Sequence, residues 1–276
     1  MNAPERKSTV YLPWLGGSLI VIGLVIVTEQ RLQTGWLVLA LLPAFGALLF
    51  VAGLRRRSMA WLLPGILLTG LGIGLFLGFS PLFKLARMHQ VGALLIAVTA
   101  GWIAMAFAPL LFHREFAWWA LIPAGVMGGT GVVFAFTPLR FLDFILYPSI
   151  GLGLALLAWG VYERLFGLIV AGSLVVSAGP AVYWGWINPG QALTQTGVML
   201  VMLALGWIMI TFFSKARMHR FIWWPLIPGG ILAMVGWGLY IGGSPGTAMN
   251  FIGNTGSIAL IIFGVYLLLI RRGMRR

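Results

Sequence analysis

Apolar runs of roughly membrane-spanning length follow one another along the chain, parted by short polar or basic breaks. A hydrocarbon core of about 30 Å needs roughly 20 apolar residues per helical crossing, so such runs can be counted as spans. The pattern predicts ten, near Val10 to Thr28, Gly35 to Leu54, Met59 to Phe79, Val91 to Phe112, Phe116 to Phe136, Ile145 to Tyr162, Leu165 to Trp186, Gly197 to Phe213, Phe221 to Ile241 and Thr255 to Ile270. The expected fold class is therefore all-α: a polytopic membrane helix bundle forming one integral membrane domain over residues 1–276. Basic residues precede the first run, but no small-residue cleavage site follows convincingly, so a retained first helix is expected.

The runs repeat. Residues 91–131 and 196–236 align without a gap and match at fourteen places, including Gly101-Trp102-Ile103 with Gly206-Trp207-Ile208. Trp118, Trp119, Leu121, Ile122, Pro123 and Gly125 likewise match Trp223, Trp224, Leu226, Ile227, Pro228 and Gly230. Weaker echoes begin at Trp61 and Leu168, so the pattern predicts four two-helix hairpins at about 35–79, 91–136, 145–186 and 197–241, flanked by helices 10–28 and 255–270. Ser80-Pro81, Thr137-Pro138, Asn188-Pro189 and Ser244-Pro245 follow the odd helices from the third to the ninth, in step with the hairpins. Proline cannot continue a helix, and Ser, Thr or Asn before it favours a turn. Two spans per unit make the repeats parallel, unlike the inverted repeats of many secondary transporters.

Composition agrees with lipid as the solvent: 61% of residues are hydrophobic, 8% are charged, and mean hydropathy is +1.01. The net charge of +13 would suit nucleic acid, but its distribution does not. With loops assigned alternately to the two sides, fourteen basic residues fall on one side and only Arg31, Lys84, Arg87 and Arg140 on the other. This positive-inside bias predicts a cell-membrane protein with cytoplasmic N- and C-termini. Anionic headgroups at the cytoplasmic face are the expected lipid partners, with other membrane subunits or a second copy as further candidates and nucleic acid excluded.

Candidate chemistry is sparse. The chain has no cysteine, hence no disulfide or thiolate ligand. The acids Glu5, Glu29, Glu115, Asp143 and Glu163, and the histidines His89, His113 and His219, fall in the tail or breaks. No catalytic, metal or cofactor-binding residue is nominated, and no enzymatic activity is expected. Trp118, Trp119, Trp223 and Trp224 stand after basic breaks and read as interface anchors. Gly70, Gly74, Gly78, Gly125, Gly129 and Gly230 read as helix-packing positions, which would make the odd helices an inner seam. On helix seven, Ser173 and Ser177 lie four apart with Tyr183 beyond Pro180, and their hydroxyls could line a small solute pocket; the alternative is bonding within the helix or to a neighbour.

The stretch Trp224-Pro225-Leu226-Ile227-Pro228-Gly229-Gly230-Ile231-Leu232 resembles the opening of the LiaI/LiaF-like transmembrane region of bacteria. The hairpin with proline at its outer end and glycine opening the next helix is similar to the short repeats of the HdeD acid-resistance membrane proteins. These resemblances cover only fragments; they imply a bacterial cytoplasmic-membrane protein linked to envelope stress. The expected function is a non-enzymatic membrane scaffold acting through helix packing with lipids or other subunits. A carrier or channel for a neutral or apolar small solute is the alternative.

Overall fold

A computed structural model describes residues 12–136, 138–187, 192–218 and 222–242, with short pieces at 246, 249–251, 253–257 and 261. These residues form α1 (Leu12–Leu32), α2 (Leu37–Arg56), α3 (Met59–Phe79), α4 (Arg87–Phe107), α5 (Leu121–Phe136), α6 (Asp143–Tyr162), α7 (Phe166–Trp186), α8 (Ala192–Met218) and α9 (Leu226–Gly242). Short 3-10 turns, Ala108–Phe112 and Trp118–Ala120, lie between α4 and α5. In lipid every backbone N–H and C=O must be satisfied within the segment, which is why apolar runs of this length become helices.

Among the described residues seven helical stretches are long and apolar enough to cross a membrane, including Arg87–Phe112, Trp118–Phe136 and Ala192–Arg217. The chain is thus a multi-pass helical membrane protein. α9, at 17 residues, is shorter than a full crossing. Of the ten spans expected, the tenth falls mainly outside the described residues, as do Thr137, Asn188-Pro189 and Ser244-Pro245.

Helix ends differ from the hydropathy pattern where polar residues continue a helix. α4 begins at Arg87, which places both Arg87 and His89 in its first turns. α8 extends through Lys215 and Arg217, whose cations suit the negative end of its dipole. Backbone hydrogen bonding does not stop where apolarity does. Pro43, Pro64, Pro148 and Pro180 lie inside continuous helices, and Pro180 does not divide α7.

The chain forms two compact units, residues 1–120 with 134–136 and residues 121–133 with 137–276. In the first, α3 packs between α2 and α4. Its two faces are cut by glycine: Gly65 and Gly72 approach the α2 backbone at Phe50 and Pro43, whereas Gly70, Gly74 and Gly78 approach α4 at Gly101, Leu94 and Gln90. In the second, α7 packs between α6 and α8, and α8 also packs against α9. Gly172 meets Leu157 of α6, and Gly185 meets Gln195 and Met199 of α8.

Corresponding positions in the two units make corresponding contacts. A Cβ placed on Gly53 would lie 2.6 Å from Leu62 N, and one on Gly160 would lie 2.7 Å from Ile169 N. One on Gly92 would lie 2.7 Å from Ala135 N, and one on Gly197 would lie 2.7 Å from Tyr240 N. Each is a backbone-to-backbone approach that any larger residue would force apart. The α2–α3 and α6–α7 connections also turn alike. Arg57 and Arg164 take the left-handed conformation, at φ 49° and 57°. The next residues, Ser58 and Leu165, donate N–H to Gly53 O and Gly160 O at 3.0 and 2.9 Å, satisfying carbonyls at the helix end.

Candidate functional site

The seam serines are buried. Gly206 of α8 lies against α7 so closely that an added Cβ would be 2.9 Å from Ser177 Cβ and 3.0 Å from the Ser173 carbonyl oxygen. Ser177 donates its hydroxyl to Leu174 O at 3.0 Å, a bond within its own helix. Ser173 is fully buried, and its hydroxyl has no hydrogen-bond partner among the described residues. The hydroxyls of Thr211 and Ser214, both buried on α8, likewise have none among them. A buried hydroxyl without a partner costs about 1–3 kcal/mol, so this seam is polar against its own stability.

Tyr183 stands apart from the two serines, half-buried, with its ring edge-on to Trp184 at 6.3 Å. At the end of the second unit away from Arg164, two adjoining hollows of about 420 and 200 Å³ open between α7, α8 and α9. Val198, Met202 and Tyr240 line both. Trp184, Gly185, Thr194 and Gln195 complete the larger, and Val201 and Trp237 the smaller. Ser173 and Ser177 lie deeper in the seam, and the sequence reading did not single out the residues that line this groove. One signal was available. Carried just past the ends of the repeated tracts, the same offset sets Trp237 and Tyr240 against Val132 and Ala135.

The anchor tryptophans are placed by partners from the preceding helix. Trp119 meets Trp102 edge-on at 6.1 Å, and Trp224 meets Trp207 edge-on at 5.9 Å. Trp119, Trp223 and Trp224 are each more than two-fifths exposed, which leaves one side of the indole for the surroundings. The break before Trp118 folds back on α4: Ala117 N–H donates to Ala106 O at 3.0 Å, and Phe116 packs between Phe107 and Trp118 at 4.9 and 4.5 Å. At the α2–α3 connection the Arg56 guanidinium lies 5.6 Å from the Trp61 ring, a cation–π contact that orients one basic side chain.

Among the packing glycines, Gly125 approaches Gly151 and Gly129 approaches Tyr147, both on α6. Gly230 differs: among the described residues nothing lies within 4 Å of its added Cβ, and Gly229 instead faces Trp207. A helix turns by about 100° per residue, so of two adjacent glycines only one can point into the seam.

Glu29, expected in a break, is held on the last turn of α1. Its carboxylate accepts hydrogen bonds from Gly35 N–H, from the Thr34 hydroxyl at 2.9 Å and from Leu37 N–H at 3.0 Å. It therefore caps the start of α2 from across the connection. Desolvation would raise the carboxyl, but the bonds from Gly35, Thr34 and Leu37 together outweigh it and hold Glu29 below its ordinary value. Asp143, also expected in a break, begins α6 and is 3% exposed, accepting Arg140 N–H at 3.2 Å. Among the described residues no group of three or more His, Asp or Glu side chains is placed to hold a metal ion.

No family model, curated protein or solved structure matches this chain.

Proposed function

We propose that this chain is a non-enzymatic scaffold of a bacterial cytoplasmic membrane, built of parallel two-helix hairpins, that packs against lipids or other membrane subunits. The observation that carries this reading is the recurrence of glycine-to-backbone contacts at corresponding positions: Gly53 with Leu62 and Gly160 with Ile169, Gly92 with Ala135 and Gly197 with Tyr240. Such contacts hold helices at fixed separation and leave little freedom to rock. An even number of spans still makes the copies parallel, and the basic breaks still favour cytoplasmic termini. Anionic headgroups at those breaks, and envelope stress as the setting, belong to the same reading.

Purification in native nanodiscs tests it. A scaffold is expected to retain a stoichiometric partner or bound lipid, whereas a lone monomer with neither would defeat the proposal. Topology is tested separately by single cysteines at Ser80 and Ser244, which should react with an impermeant maleimide from outside intact cells; labelling only after lysis would reverse the orientation. The competing reading, a carrier for a neutral or apolar solute, draws support from the hollows between α7, α8 and α9. It predicts solute-dependent protection of Met202→Cys from alkylation, which a scaffold would not show.

A further inference from the structure

We infer that the groove between α7, α8 and α9 is a binding site for the acyl chain of an uncharged amphiphile, with the head of that molecule at Thr194 and Gln195. The groove has a direction. Thr194 and Gln195 lie in the first turn of α8, at the end of the span, whereas Met202 lies eight residues farther along the helix. At 1.5 Å per residue that is a depth of about 12 Å, most of one leaflet of a core about 30 Å thick. Hydrogen-bonding side chains stand at the mouth, and Val198, Val201 and Met202 line the depth. A molecule that matches this lining along its length has a polar head and a single apolar tail.

The character of the lining selects the head. Among the described residues no acidic or basic side chain lines either hollow, so a charged head would gain no ion pair from them and would lose part of its hydration. The larger hollow, about 420 Å³, falls within the roughly 300–1,000 Å³ typical of small-molecule sites. The same 105-residue offset carried just past the matched tracts pairs Val132 and Ala135 with Trp237 and Tyr240, and the backbone approach of Gly197 to Tyr240 matches that of Gly92 to Ala135. The scaffold is kept and the wall is rebuilt with large rings, which supply broad contact to an alkyl chain at little cost in side-chain freedom.

This inference rests on the proposed reading only in taking the chain to span a membrane; it holds whether or not a protein partner is found. The full chain in nanodiscs is irradiated with a monoacylglycerol whose tail ends in a diazirine, and adducts are mapped by mass spectrometry. Adducts are expected to concentrate on Val198–Met202 and Trp237–Tyr240. Met202→Trp fills the groove and should lower them about tenfold, the equivalent of roughly 1.4 kcal/mol, while adducts on exposed Leu205 and Phe212 stay constant. Uniform labelling of groove and exposed faces, or a Met202→Trp protein that labels normally, overturns the site. Stronger groove labelling by the same tail on phosphatidylglycerol overturns the uncharged head. Should Met202→Trp fail to fold, Thr194→Val with Gln195→Leu adds little bulk and is expected to weaken labelling by the monoacylglycerol; unchanged labelling overturns the role of the mouth.

Discussion

Trp102 and Trp119 meet edge to face with ring centroids 6.1 Å apart, and the pair closes the break between α4 and α5 onto the helix before it. Trp207 and Trp224 repeat the arrangement at 5.9 Å. The contact explains how a chain that leaves α4 through a proline-containing 3-10 turn is brought back to begin the next helix. A double-mutant cycle on Trp102 and Trp119 should give a coupling of about 0.5–1.5 kcal/mol beyond the single losses, measured by thermal unfolding in detergent. The cycle on Trp207 and Trp224 should agree in size. Coupling at one pair and none at the other would show that the two breaks are not equivalent.

Glycine at the seams leaves no room for a side chain. Gly65→Leu and Gly172→Leu should each destabilise the protein by about 1–3 kcal/mol or more, because the intruding atoms meet backbone rather than a movable side-chain tip. Gly230→Ala serves as the contrast: it faces open space on α9, and replacing glycine within a helix should stabilise by about 0.5–1 kcal/mol. Fluorescence-detected gel filtration after heating reads both. Equal tolerance of all three changes would contradict the seam.

The buried hydroxyls of Ser173, Thr211 and Ser214 make an opposite forecast. Ser173→Ala, Thr211→Val and Ser214→Ala each remove a polar atom that has no partner among the described residues, so melting temperature should be unchanged or raised. A clear fall for any of them would mean that its hydroxyl is bonded in the membrane-embedded protein.

Glu29 makes the α1–α2 connection sensitive to acid. Its carboxyl is held below the ordinary glutamate value, so its contribution is complete above about pH 4.3 and is lost as pH falls through the lower folded value. Hydrogen exchange of the Gly35 and Leu37 amides should therefore accelerate, after correction for intrinsic rates, only below the usual glutamate range. Glu29→Gln, which retains one acceptor but no charge, should remove most of that pH dependence. A profile unchanged by the substitution would assign the acid sensitivity elsewhere.

Arg164 takes a left-handed conformation that costs a residue with a Cβ about 1–2 kcal/mol. Arg164→Gly should recover part of this, seen as a higher melting temperature, and Arg57→Gly should do the same in the first unit. If the positive charges hold the orientation, the double variant should also show a larger fraction of inverted molecules in the maleimide assay.

The order of apolar runs by itself determined that the chain is helical, that it crosses a membrane several times, and where most helices stand. α3 matches its expected bounds, and α7 and α2 lie within a residue or two of theirs. Burial in lipid imposes that result locally, because each backbone polar group must be satisfied by its own helix. The ends at Arg87 and Lys215 escaped the pattern because hydrogen bonding continues past the last apolar residue. Tertiary structure alone decided which of two adjacent glycines enters the seam, as with Gly229 and Gly230, since one residue of rotation exchanges a neighbouring helix for open space. It also placed Ser173 and Ser177 inside a closed contact and opened the groove a few turns away at Tyr240. A hydroxyl reads the same in sequence whether it faces a cavity or a backbone, and only the distance to the next helix separates the two.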